Sequence, residues 1–216
     1  MTTQEIEQIS RKDRDRQRQQ GEMILVAERI FAEKGYHAAT IEEIAKESQF
    51  SVGTLYKLFK NKDDLYNRVL EAFIQQFMDA FRVKVLSIND SEESIAALIS
   101  LRLTHFDQHR DFLRVALESP PLNHACAAGS VPAQFVELHD HYIAEVTKIF
   151  ARGIEQGIFD DSDPFYLALS LEGITKAFVA YWARHKPADS LELRIAKLRR
   201  EFLERIKVRL NLPRPV

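Results

Sequence analysis

Residues 40–65 read TIEEIAKESQFSVGTLYKLFKNKDDL, a run that combines helix punctuation, a turn and a charge bias. Thr40 followed by Glu43 has the pattern of a capping box. The Thr40 hydroxyl accepts from the Glu43 amide, and the Glu43 carboxylate is expected to reach back to Thr40. Ile41, Ile44 and Ala45 give the first helix its apolar face. Gln49, Phe50 and Ser51 interrupt it, and Ser51 is a natural N-cap for a second helix over 52–59. That helix sets Leu55, Leu58 and Phe59 on one side, with Thr54, Tyr56 and Lys57 elsewhere. Two short helices joined by a turn of about three residues form a helix-turn-helix, whose second helix fits the DNA major groove. Residues 51–62 hold three lysines and no acid, in a chain of net charge −2. That local inversion suits a phosphate-facing surface.

The remaining composition narrows the class. With 45% hydrophobic residues and 14 Phe among 216 residues, the chain can bury a sizeable core, which excludes a disordered protein. Only seven Gly and seven Pro, with long periodic segments, point to an all-α fold. A single cysteine, Cys126, excludes an intrachain disulfide and a cysteine-rich zinc site and fits a reducing cytoplasm. No apolar run approaches the roughly 18 residues that span a bilayer, and the N-terminus lacks the apolar stretch of a signal peptide. A cytoplasmic protein with no membrane partner is therefore expected. Charge is unevenly spread: net +1 over 1–62, −9 over 63–183 and +6 over 184–216. DNA repels the acidic middle, so duplex contact is expected only in the N-terminal part.

Residues 1–16 read as a flexible basic arm that is either solvated or laid against DNA. A helix is expected from about 17 to 34, stopped by Gly35. The two short helices follow, then one from 62 to 85 with Asp63 and Asp64 at its positive end. Further helices are expected near 92–108, 110–118, 133–156, 164–184 and 190–210. Pro120, Pro121 and Pro132 mark 119–132 as a long connection. Asp163–Pro164 is a cap followed by proline at the first helical position. The tally is about nine helices and no convincing strand. Three segments follow: the arm, a helix-turn-helix domain over 17–77 with its motif at 40–59, and a C-terminal domain over 78–216.

The run over 23–73, MILVAERIFAEKGYHAATIEEIAKESQFSVGTLYKLFKNKDDLYNRVLEAF, resembles the N-terminal domain of the tetracycline-repressor (TetR) family of bacterial transcription regulators. The resemblance rests on Phe31 to Tyr36 ending the first helix, the Thr40 cap, Ile44–Ala45, Gly53 to Phe59, and Lys62 with Leu65 opening the next helix. The rest of the chain matches only in length and helical character. The resemblance implies a three-helix DNA-binding domain joined to a helical bundle that binds a small effector and forms a homodimer. By position it implies that Thr40 and its neighbouring amides hold a phosphate, and that Ser51, Val52, Gly53 and Thr54 lie at the head of the reading helix and face base edges. Tyr56 and Lys57 would face backbone or bases, and Lys62 phosphate, with Tyr36 and His37 peripheral. Two residues depart from the family pattern. Gln49 stands where the family has glycine in a left-handed turn, at a cost of roughly 1 kcal/mol. Phe50 replaces a smaller aliphatic residue and is expected to pack between the helices.

Nothing points to catalysis. There is no glycine-rich phosphate loop and no GxSxG elbow. His105 and His109 stand four apart on a helix with Asp107 between, but no third ligand is in reach. His124, His139, His141 and Cys126 read as surface or satisfied core groups. No catalytic residue, cofactor or metal is expected.

For the C-terminal domain, the aromatic supply suggests a pocket for a small, largely apolar ligand, with Phe77, Phe81, Phe106, Phe112, Tyr142, Phe178 and Trp182 as candidates. The face Leu167, Leu171, Ile174 and Phe178 is the candidate dimer interface. The expected partners are operator DNA, a small-molecule effector and a second copy of the chain. The expected mechanism is a repressor whose dimer, once liganded, holds its reading helices wrongly spaced for grooves about 34 Å apart. Control by protein contact instead of a ligand, or an all-helical enzyme or carrier, are the competing readings.

Overall fold

The computed structural model describes residues 11–118, 133–185 and 187–207. The first ten residues of the expected arm, the expected connection 119–132 with His124 and Cys126, and the last residues of the expected C-terminal helix lie outside them. Among the described residues there are nine α-helices and no strand. They are α1 (Arg11–Ala38), α2 (Ile41–Glu47), α3 (Val52–Leu58), α4 (Lys62–Lys84), α5 (Ser91–Gln108), α6 (Arg110–Glu118), α7 (Ala133–Glu155), α8 (Pro164–Arg184) and α9 (Leu191–Ile206). The chain divides into two compact units, Met1–Phe73 and Ile74–Val216, and the division falls within α4.

Residues 11–16, assigned above to the flexible arm, are the first turns of α1. The run RKDRDRQRQQ contains no breaker and is rich in arginine and glutamine, both good helix formers. Arg18 also pairs with Glu22 one turn on, at 3.0 Å. The helix breaks at Gly35, whose φ of 80° and ψ of 164° suit a residue without Cβ. The first unit then closes around Met23, Ala27, Ile30, Phe31, Ile44, Leu55 and Phe59. Leu58, expected in this core, is only half-buried.

In the second unit α5 is central, packing on α6, α7, α8 and α9, while α7 and α6 both pack on α8. Each capped start follows from sequence. Asp90 accepts from the Glu93 amide, Asp163 from Phe165 and Tyr166, and Ser190 from Leu193. The core joins Phe81, Ile99, Leu103, Tyr142, Phe150, Phe159, Leu171 and Phe202. Arg152 fastens the start of α5 by donating to Ser91 Oγ at 3.0 Å and to the Ile88 carbonyl at 3.2 Å. The amide of Asp160 donates to the Ile206 carbonyl at 2.8 Å, so the end of α9 is tied to the loop before α8.

Candidate nucleic-acid interface

Thr40 caps α2, its hydroxyl accepting from the Glu43 amide at 3.2 Å. The reciprocal half of the capping box is not made. The Glu43 carboxylate turns instead to Lys34 Nζ at 2.5 Å, because α1 brings an ammonium group beside it and a charge-assisted contact outcompetes a neutral amide. The turn that follows is built as its chemistry requires. Gln49 has φ 62°, the left-handed region, and the Phe50 amide donates to the Ala45 carbonyl at 2.9 Å. Phe50 is half-buried.

Ser51 caps α3, accepting from the Thr54 amide at 3.0 Å while its hydroxyl lies 2.8 Å from that of Thr54. The two polar groups at the head of the helix thus hold each other in place. Leu55 is fully buried beneath α3 and Phe59 just beyond it. The opposite side presents Gly53, Tyr56 and Lys57, with Val52 and Thr54 half-buried. Tyr56 is 52% exposed. No salt bridge to Lys57 or Lys60 occurs among the described residues.

Tyr36, His37 and Lys62 form one assembly. Lys62 Nζ lies 4.6 Å from the centroid of the Tyr36 ring and donates to the His37 carbonyl at 3.1 Å. The Tyr36 hydroxyl donates to the Asp63 carboxylate. Burial first, and then the bond to Asp63, raise the Tyr36 phenol well above its ordinary value. Partial burial lowers the Lys62 ammonium, opposed by Asp63. Asn61, which the sequence reading passed over, starts α4 by accepting from the Asp64 amide at 2.8 Å.

In the second unit the seven candidate ligand residues fall in different settings. Phe81, Phe112 and Tyr142 are buried in the core. Phe77, half-buried, packs on Phe81 and Tyr142 with centroids 6.3 and 5.7 Å apart. Phe106 is half-buried beside His105. Phe178 and Trp182 stack at 5.2 Å at the other end of α8, on an open cleft of about 530 Å³. The candidate dimer face divides as well. Leu171 is core and Leu167 packs against it, whereas Ile174 and Phe178 are exposed. Leu167 and Leu171 thus face their own chain while Ile174 and Phe178 face outward, because the apolar residues of α8 surround it on most sides.

Beside Tyr142 lies a buried charged centre. Arg102 donates to Tyr142 Oη at 3.0 Å and to Glu172, whose other oxygen takes Lys176 at 2.8 Å. Burial on its own would raise the Glu172 carboxyl, but Arg102 and Lys176 outweigh it and bring it down to about 2. Burial pushes the Tyr142 phenol up to about 12. An arginine between Leu101 and Leu103 was the signal in the sequence for this pair.

Comparison with known proteins agrees with this geometry. The profile of bacterial regulatory proteins of the tetR family matches residues 24–69. An HTH-type transcriptional regulator of Staphylococcus aureus (strain bovine RF122 / ET3-1) is 30% identical over 138 residues, covering 61% of this chain and 68% of that protein. The chain belongs to the TetR family. It is a DNA-binding transcriptional regulator. The HTH-type transcriptional activator FasR of Mycolicibacterium smegmatis is 26% identical over 110 residues, 51% of this chain and 49% of that protein, so the match spans about half its length. A transcriptional regulator from Saccharomonospora viridis, solved in complex with choline, superposes with a TM-score of 0.75 at 21% identity, covering 89% of this chain and all of that one; this similarity shows the fold. No helix among the described residues is long and apolar enough to cross a membrane. Within the TetR family pattern the chain keeps the left-handed turn while dispensing with its usual glycine, since Gln49 adopts that backbone itself.

Proposed function

We propose that this TetR-family chain is a homodimeric repressor that reads operator DNA with α3 and is released by a small, largely apolar ligand bound in the second unit. The observation that carries the DNA reading is Tyr56, half exposed on a helix whose other face is anchored by buried Leu55. Val52, Gly53 and Thr54 face base edges, with Val52 suited to a thymine methyl. Ser51 holds Thr54 in position, and Tyr56 and Lys57 meet backbone or bases. Thr40 and its neighbouring amides, together with Lys62, His37 and Tyr36, form the phosphate side. A lysine ammonium has three donors, so the bond from Lys62 to His37 leaves it able to meet a phosphate as well.

Ligand control is supported by the aromatic group around Tyr142 and by its buried ion pair, an apolar surround with a few polar groups that can orient a small molecule. The choline held by the Saccharomonospora protein supports a small-molecule effector as a class. The test is binding of the full chain to DNA upstream of its own gene, across a salt series. Tight binding that weakens steeply with salt is expected, and absence of binding to any candidate promoter would overturn the reading.

A further inference from the structure

The cleft of about 530 Å³ at the end of α8 has two unlike walls. Phe178, Tyr181 and Trp182 stand on the α8 side, and Arg194, Lys197 and Arg200 on the α9 side. Phe178 is 42% and Tyr181 60% exposed, while Trp182 is half-buried against the core. The Phe178 and Trp182 ring planes lie 28° apart, which leaves a further ring the offset stacking that aromatic groups prefer.

The basic wall holds a group whose hydrogen bonding is incomplete. The Arg194 side chain is 9% exposed. Its Nη2 donates to Asp107 at 2.6 Å, and its guanidinium carbon lies 4.8 Å from the centroid of the Trp182 ring. Its Nε is buried and has no hydrogen-bond partner among the described residues. A buried donor without an acceptor carries the full cost of its lost hydration. The other two cations are held loosely. Lys197 meets Asp189 at 2.6 Å, and Arg200 reaches Glu201 only at 3.8 Å, both from side chains more than half exposed. Glu201 is shared with Arg205. Exposed ion pairs contribute little, so both cations can turn to another acid at small cost. Residues 184–216 carry net +6, a charge that the DNA reading, confined to the first unit, does not use.

We propose that this cleft is a second ligand site and that it takes an aromatic carboxylate. The ring stacks on Phe178 and Tyr181, and the carboxylate meets Arg194, Lys197 and Arg200. The acid supplies the acceptor that the Arg194 Nε lacks, and a planar guanidinium suits a two-oxygen acid. The volume lies within the range that drug-sized molecules occupy, so an acid of two linked rings fits. The site stands apart from the group around Tyr142 assigned to the effector, since none of that group lines it. Once bound, the acid bridges α8 and α9 and favours the spacing those helices hold around it.

Trp182 is the only tryptophan of the chain, so its fluorescence reports on this cleft. Biphenyl-4-carboxylate added to the full chain is expected to quench it saturably. The acid should bind about tenfold more tightly than biphenyl-4-carboxamide, which lacks the charge, and more tightly than decanoate, which lacks the rings. Lys197→Gln combined with Arg200→Gln removes two exposed cations; it should weaken the acid about tenfold and leave the amide unchanged. Arg194→Lys keeps a charge beside Asp107 but loses the planar fork, and should weaken the acid with circular dichroism unchanged. Equal binding of acid and amide, or acid binding that the double variant leaves intact, overturns the carboxylate site. Tighter binding of decanoate overturns the aromatic class. A Trp182 signal that none of the three probes moves, as when a second copy of the chain covers the cleft, overturns the proposal as a whole.

Discussion

Lys62 lies over the ring of Tyr36, 4.6 Å from nitrogen to centroid, and reaches past it to the His37 carbonyl. The ammonium therefore ties the start of α4 to the end of α1 and points a cation at the surface proposed to meet phosphate. Lys62→Met keeps the stem over the ring and removes the charge. It is expected to weaken DNA binding at every sequence alike and to lower the slope of log affinity against log salt by about 1. Unchanged affinity with a lowered melting temperature would make Lys62 a structural tie only.

Tyr56 should separate recognition from stability. Its ring is half exposed and the buried face of α3 belongs to Leu55, so Tyr56→Ala is expected to leave stability within about 0.5 kcal/mol. Operator affinity should fall by about 1–3 kcal/mol. Parallel thermal melts and fluorescence anisotropy read both quantities, and a large loss of stability would remove Tyr56 from the DNA-facing set.

Gln49 holds φ 62°, a conformation that a side chain resists by roughly 1 kcal/mol. Gln49→Gly relieves that strain but frees the unfolded chain, so a net gain below about 1 kcal/mol is expected. Gln49→Val adds a β-branched side chain to the same backbone and should destabilise relative to both. Urea denaturation of the three proteins orders them, and equal stability of the Gly and Val variants would mean that the turn relaxes to another conformation.

The Arg102–Glu172 pair sets an acid limit. The Glu172 carboxyl is at about 2 when folded, against an ordinary 4.5. A depressed acid stabilises the fold fully above the unfolded value and loses that contribution as pH falls through the folded one. Melting temperature should therefore decline from about pH 4.5 towards pH 2. Glu172→Gln should flatten that decline while costing about 3–5 kcal/mol at neutral pH, because it leaves Arg102 buried without its counter-charge. A variant melting profile parallel to the wild type would sink this account.

What the sequence made legible follows from the range of the forces involved. Caps at Thr40, Ser51 and Asp163, the break at Gly35 and the left-handed Gln49 are settled within a few residues of chain, and all were readable. The partner of Glu43 was not, since the choice of Lys34 depends on how α1 lies against α2. The split of Leu167 and Leu171 from Ile174 and Phe178 was also hidden. Apolar residues occur nearly all round α8, so periodicity alone cannot say which edge meets α5, α6 and α7. Arg102 and Glu172 are 70 residues apart, and only the packing of α5 against α8 makes them a pair.

The cleft between the end of α8 and α9 would attract any search for molecules that act on this regulator. Should a molecule seated there act by blocking the pairing of two copies, it competes with a subunit and not with the natural effector. Its potency would fall as the protein becomes more abundant, while that of a true inducer would not. A dose–response curve repeated at two protein concentrations would therefore sort dimer breakers from inducers before any complex is solved.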